Sequence, residues 1–236
     1  MSKLGHGYGS EFHLMRLMGR YRQRFTRIVC DVIGASDISW LDFRPGGKYE
    51  LKPELSLPDN EWKGIEFLAE TKENREELIE SWKDFWPQSG SVPNWDAIGK
   101  GRIDESDFWI LTEVKAHIGE IKSNCGAISK KSKDRIADAM KDTQTWLNVK
   151  DKMGCDWLKV YYQYAFQLAM LYFLNRHNIK SRLLRIYLCG DKNPAGDCPP
   201  KDLEQQSIFL GVDGIHLSTF RVHEIFIDVV NVKRME

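Results

Sequence analysis

Asp96 opens a short apolar run, Asn94-Trp95-Asp96-Ala97-Ile98-Gly99. A second run, Trp109-Ile110-Leu111-Thr112-Glu113-Val114-Lys115-Ala116, carries a glutamate and a lysine two positions apart near its end. Side chains alternate faces along a strand, so Glu113 and Lys115 project from one side while Val114 projects from the other. The polar stretch 101–107 between the runs reads as the tip of a hairpin joining antiparallel strands. A symmetric hairpin sets Asp96 opposite Glu113. Two carboxylates facing each other across a ladder repel unless something positive lies between them. A hard divalent cation meets that need, because Mg²⁺ takes one or two protein carboxylates and fills its shell with water and substrate phosphate oxygens. Lys115 beside such an ion can stabilise charge on a phosphoryl oxygen, or position and activate an attacking water. The chemistry these three residues point to is hydrolysis of a phosphodiester.

The competing reading is a surface hairpin whose charges are solvated. Two features stand against it. The second run is apolar up to Thr112, the pattern of a strand buried on both faces, and a buried Glu–Lys pair without a use is costly. The arrangement resembles the PD-(D/E)xK nuclease superfamily, also called restriction-endonuclease-like. In that family an Asp opens one strand of a central sheet and a Glu/Asp-x-Lys lies on the next. Here Asn94-Trp95-Asp96 stands in place of the leading Pro-Asp, with Pro93 further back, and the likeness covers mainly residues 8–30 and 90–190.

The resemblance implies Asp96 and Glu113 as metal ligands and Lys115 as catalytic base or charge stabiliser. It implies Mg²⁺ or Mn²⁺ as cofactor and nucleic acid as partner and substrate, DNA ahead of RNA. It also implies a supporting acid on the helix before the sheet, carried here onto Glu11, and a site-orienting Gln on the helix after the lysine, carried onto Gln163. Helical spacing from Leu14 and Met18 puts Glu11 on the inward stripe, although a first-turn acid also suits the helix dipole. Gln167, one turn after Gln163, departs from the Gln-x-x-x-Tyr form of some branches, and ordinary helix polarity accounts for both glutamines equally well.

The chain has 236 residues, 42% of them hydrophobic, enough to bury a substantial core without staples. It reads as a single domain over 1–236, with a nuclease-like core at about 8–30 and 90–232 and an elaboration at 36–88. Thirty-four Lys plus Arg balance 34 Asp plus Glu, so no global charge favours nucleic acid and local clusters must carry that case. The densest cluster is Lys122, Lys130, Lys131, Lys133 and Arg135, just downstream of Lys115, where a backbone-binding groove would be useful. A solvated loop and helix start explains any one of them equally well. Arg16, Arg20, Arg24 and Arg27 form a second basic stripe with the same two readings. Five cysteines in odd number, with no Cys-x-x-Cys, point to reduced thiols and no structural zinc. With no signal segment and no membrane-length apolar run, the expectation is a soluble cytoplasmic protein. Gly99-Lys100-Gly101 lacks the spacing of a phosphate loop. His117 and Glu120 cannot alone build a zinc site, but their position directly after Lys115 makes them candidate cleft residues.

The positioning elements read as follows. A helix over 11–29 precedes an extended region at 36–58, with a strand signal near Trp40, a Pro45-Gly46-Gly47 turn and a second extended stretch at 49–57. Amphipathic helices follow at 61–70 and 75–86, then the hairpin, then a helix entered through Lys130. A long apolar helix spans 157–176, and strands lie at 183–189 and 224–232 around a turn-rich loop at 191–201. The expected fold class is α/β, a restriction-endonuclease-like core with a mixed central β-sheet flanked by helices. The alternative function is a non-catalytic nucleic-acid-binding or structural protein that keeps this fold.

Overall fold

The structure, a computed structural model, describes residues 8–41, 61–70, 75–88, 92–150, 155–191 and 200–229. The Pro45-Gly46-Gly47 turn and the stretch at 49–57 lie outside the described residues. In chain order the elements are α1 (Ser10–Met18), α2 (Arg22–Ile33), β1 (Asp37–Trp40), β2 (Trp62–Lys63), α3 (Arg75–Phe85), β3 (Asn94–Trp95), β4 (Ala97–Ile103), β5 (Ser106–Lys115), α4 (Lys130–Trp146), α5 (Tyr162–Arg176), β6 (Ser181–Cys189), α6 (Pro200–Leu210) and β7 (Val222–Asp228). The chain is α/β. Its central sheet runs β1-β4-β5-β6-β7, antiparallel through β5 and parallel from β5 to β7, so the sheet is mixed.

β5 lies in the middle of that sheet, and its alternation sorts two cores. Leu111, with Ile98, Leu183 and Tyr187, faces α4 and α5. Ile110 and Val114, with Ala97, Leu184 and Ile186, face α1 and α2. α5 is apolar nearly all round, with nine of its residues buried from Tyr164 to Leu174, the signature of a helix enclosed by its neighbours.

Several elements differ from expectation for identifiable reasons. The helix expected over 11–29 is two helices. Gly19, whose N–H donates to Met15 O at 2.9 Å, ends the first, and Arg22 starts the second. The apolar stripe continues through the break because both helices cover the same sheet face. The supposed arginine stripe is thereby divided, and Arg16 and Arg20 instead stack against Tyr21 at 5.7 and 5.5 Å. Residues 61–70 form the short β2 and a 3₁₀ turn, not a helix. Gly64 at φ 50 breaks the run, and its carbonyl accepts the Trp95 indole N–H at 3.1 Å.

The hairpin tip is shorter than 101–107. Strand pairing continues to Ile103↔Ser106, leaving Asp104 and Glu105 as the turn, with Asp104 at φ 52. The polar residues there are outward-facing strand positions, and Asp107 pairs with Lys100 and Arg102. The long apolar helix begins at Tyr162 instead of 157, because Val160 is left-handed (φ 58) and the preceding segment forms a bridge to Ser123. α6 was not expected; Pro200 at its first position suits a helix start, where no N–H is required.

Candidate active site in an acidic cleft

The tight turn at Asp104-Glu105 sets the β4–β5 register at Ala97↔Thr112, which brings Asp96 beside Glu113. Two backbone-linked bonds fix Asp96: its N–H donates to Thr112 O at 3.1 Å, and its Oδ2 accepts the Val114 N–H at 2.6 Å. Glu113 is 3% exposed, and its Oε1 takes an ion pair from Lys115 Nζ and a 2.6 Å hydrogen bond from Gln163 Nε2 on the first turn of α5. Gln163 is itself held at that height by its own N–H, which donates to Ser123 Oγ at 2.8 Å. Asp96, Glu113, Lys115 and Gln163 thus meet at one end of the sheet, against the α5 face.

Burial drives the electrostatics. Desolvation raises the Asp96 pKa well above the ordinary carboxylate range, and the neighbouring Glu113 raises it further, against the pull of Lys115 and the Val114 N–H. Glu113 is raised for the same first reason, with Lys115 and Arg185 working the other way. Desolvation acts against the Lys115 ammonium, but Glu113, Asp96 and Glu120 outweigh it, and its pKa is raised. The lysine is therefore held as a cation between buried acids.

These residues line a cleft of about 680 Å³, together with Glu11, Glu61 and Glu120. Glu11 is exposed at its wall, not on the inward stripe that helical spacing suggested, because α1 buries His13, Leu14, Leu17 and Met18 instead. Glu120 ties the cleft together. Its Oε2 accepts the Ala116 N–H at 2.7 Å and its Oε1 the Ser10 hydroxyl at 3.0 Å, linking the start of α1 to the end of β5. His117 stands 3.4 Å from Glu120 Oε1. Glu61 had no signal in the sequence, being remote along the chain and within a segment that reads as helical. Arg185 is visible in the sequence as a charge inside the apolar strand 181–189. It is the register partner of both Glu113 and Glu224, 5% exposed, and donates to Glu224 at 3.0 Å and Gln206 at 2.6 Å.

Among the described residues no group of three or more His, Cys, Asp or Glu side chains is gathered to hold a metal ion. Glu11, Asp96 and Glu113 therefore share a cleft without forming a three-carboxylate cage. A cation here would have Asp96 and Glu113 as its protein ligands. Their chemistry fits, since two hard oxygen donors are set side by side where burial disfavours both negative charges.

The basic patch lies elsewhere. Lys130, Lys131 and Arg135 line a separate cleft of about 760 Å³ with Asp84, Asp134, Asp138 and Asp142, so its charges alternate in sign. Lys133 is exposed on α4, and Lys122 is exposed beside Ser123. Among the described residues no helix is long and apolar enough to cross a membrane, and no disulfide joins Cys30, Cys125, Cys155 or Cys189. The chain matches no family model, no curated protein and no solved structure.

Proposed function

We propose that this protein is a metal-dependent nuclease that hydrolyses phosphodiester bonds, in DNA ahead of RNA, on a restriction-endonuclease-like variant of the α/β sheet. The observation that carries this reading is the meeting of Asp96, Glu113 and Lys115 in one cleft, with Lys115 paired to Glu113 and Asp96 set beside it by strand register. Asp96 and Glu113 would hold Mg²⁺ or Mn²⁺, which when bound neutralises charge on the phosphate and lowers the pKa of water. Lys115 keeps its proton, so its part is to hold an attacking water or a non-bridging phosphate oxygen by hydrogen bonding and charge. Gln163 fixes Glu113 Oε1, and with it the direction in which the lysine is drawn. Lys122, Lys130, Lys131, Lys133 and Arg135 are left as contacts for a longer substrate beyond the cleft.

The test incubates purified protein with linear, supercoiled and single-stranded DNA and with RNA, with Mg²⁺ or Mn²⁺, beside Lys115→Ala and Asp96→Asn proteins shown to be folded by circular dichroism. The expected result is ion-dependent cleavage by the wild type that both substitutions abolish. Equal cleavage by wild type and variants would sink the assignment. No cleavage of any substrate would favour the non-catalytic, fold-retaining reading, for which the Asp96–Val114 bond is the supporting observation, since it gives that carboxylate a purely structural task.

A further inference from the structure

The cleft that holds Asp96, Glu113 and Lys115 also has an aromatic wall. Besides the acids, its lining includes Tyr162 and Phe166, one turn apart on α5, with Val92, Pro93 and Trp86. Both rings are half-buried, and their planes meet edge to face with centroids 5.9 Å apart. Neither ring is loosely hung. The Tyr162 hydroxyl lies beside the Cys125 thiol in a mostly buried setting that pushes its pKa up, and Phe166 packs against the buried Trp86 with centroids at 6.3 Å.

The charge around this wall is wrong for a duplex. Five acidic side chains, Glu11, Glu61, Asp96, Glu113 and Glu120, line the cleft with one cation, Lys115, among the described residues, so it can pair one phosphate but not the many that a duplex lays down. Duplex binding draws most of its affinity from several cations laid along two phosphate strands, and the basic residues of α4 open into another cleft where they alternate with aspartates. At about 680 Å³ the cleft instead has the volume that encloses a small ligand, the size of one or two nucleotides. Affinity in such a place must come from ring stacking, which every base supplies without regard to sequence.

We infer that the cleft takes an unpaired stretch of single-stranded DNA, one base stacked on the Tyr162–Phe166 wall while the adjoining phosphate meets Lys115 and the two carboxylates. This rests on the hydrolytic reading for the role of the carboxylates, but not for the binding itself. The preference for an unpaired strand follows from geometry, since a base can turn onto the wall only when it is free of its partner.

The test measures fluorescence anisotropy of a labelled single-stranded DNA oligonucleotide and of the same sequence as a blunt duplex, both with hydrolysis-resistant phosphorothioate linkages, with Mn²⁺, on the wild-type protein. Wild-type turnover on the two substrates without those linkages is measured beside it. Single strand should bind and be cut in preference to duplex. Tyr162→Leu and Phe166→Leu should each weaken single-strand binding by roughly 5- to 100-fold, the effect of removing one stacking ring, and Tyr162→Phe should rescue it. Equal or better binding of duplex, no binding of single strand, or unchanged affinity after ring removal in folded variants would overturn the inference. Ring-dependent single-strand binding without cleavage would sink the nuclease reading and leave this one standing. Lys115-dependent cleavage of duplex that ignores both rings would do the reverse.

Discussion

Asp96 is pulled two ways by its surroundings. The Val114 N–H favours its charged form, while burial and Glu113 favour the neutral one and prevail. Its folded pKa lies above the unfolded value of about 3.9, so the native state holds the extra proton. The stability this confers is fully present below the unfolded pKa and is lost as pH rises through the folded one. Metal-free wild type should therefore lose stability as pH rises from about 4 upward more steeply than Asp96→Asn, whose side chain stays neutral throughout. Urea unfolding midpoints across that range decide it, and parallel curves for the two proteins would contradict the assignment. Gln163 offers a second test. Losing a hydrogen bond of about 1.5 kcal/mol to a charged group should make Gln163→Leu roughly tenfold slower in kcat with KM little changed. An unaltered kcat in steady-state assays would remove Gln163 from the site.

At the scale of elements, the β4–β5 hairpin carries the site, and its arms are held together tightly. A Cβ at Gly101 would meet the ring of its partner Phe108 at 2.6 Å, and Phe108 is buried under the α1–α2 core. Gly101→Ala should lower stability by about 1–3 kcal/mol through overpacking, read as a shift in urea midpoint at constant m-value; an unchanged midpoint would mean the ring can move aside freely. Much of this hairpin was legible in the sequence, because strand alternation alone puts Glu113 and Lys115 on one face and symmetry alone sets Asp96 across from them. The tip is not legible because polarity marks solvent exposure, not loss of strand pairing: Arg102 and Asp107 are polar and still paired. The break at Gly19 was hidden for a related reason, since the helices on either side share one apolar stripe. Glu61 and Ser123 were illegible because only the packed chain brings them to the cleft, and Glu11 was placed on the wrong face by counting helical offsets without knowing which neighbours α1 would bury.

Over the whole molecule, the cleft gathers groups from both faces of the sheet. Ser10 on the α1 side and Gln163 on the α5 side both reach residues of one strand end, through Glu120 and Glu113. An ion bound there stabilises only the folded chain. At about one hundred times its Kd it should add about 2.7 kcal/mol, which raises Tm by roughly 5–10 °C for a chain of this size. Calorimetry with and without Mg²⁺ checks this, and Asp96→Asn should show no rise; a rise that survives the substitution would place the ion elsewhere. The same strand end also carries a built-in sensor. Because the Val114 N–H points at the Asp96 carboxylate from 2.6 Å, its amide proton resonance should move whenever that carboxylate loses its charge or turns toward a cation. A single peak from unmodified protein would then report on proton uptake and ion arrival separately from any turnover, letting the chemistry of the cleft be followed before its substrate is in hand.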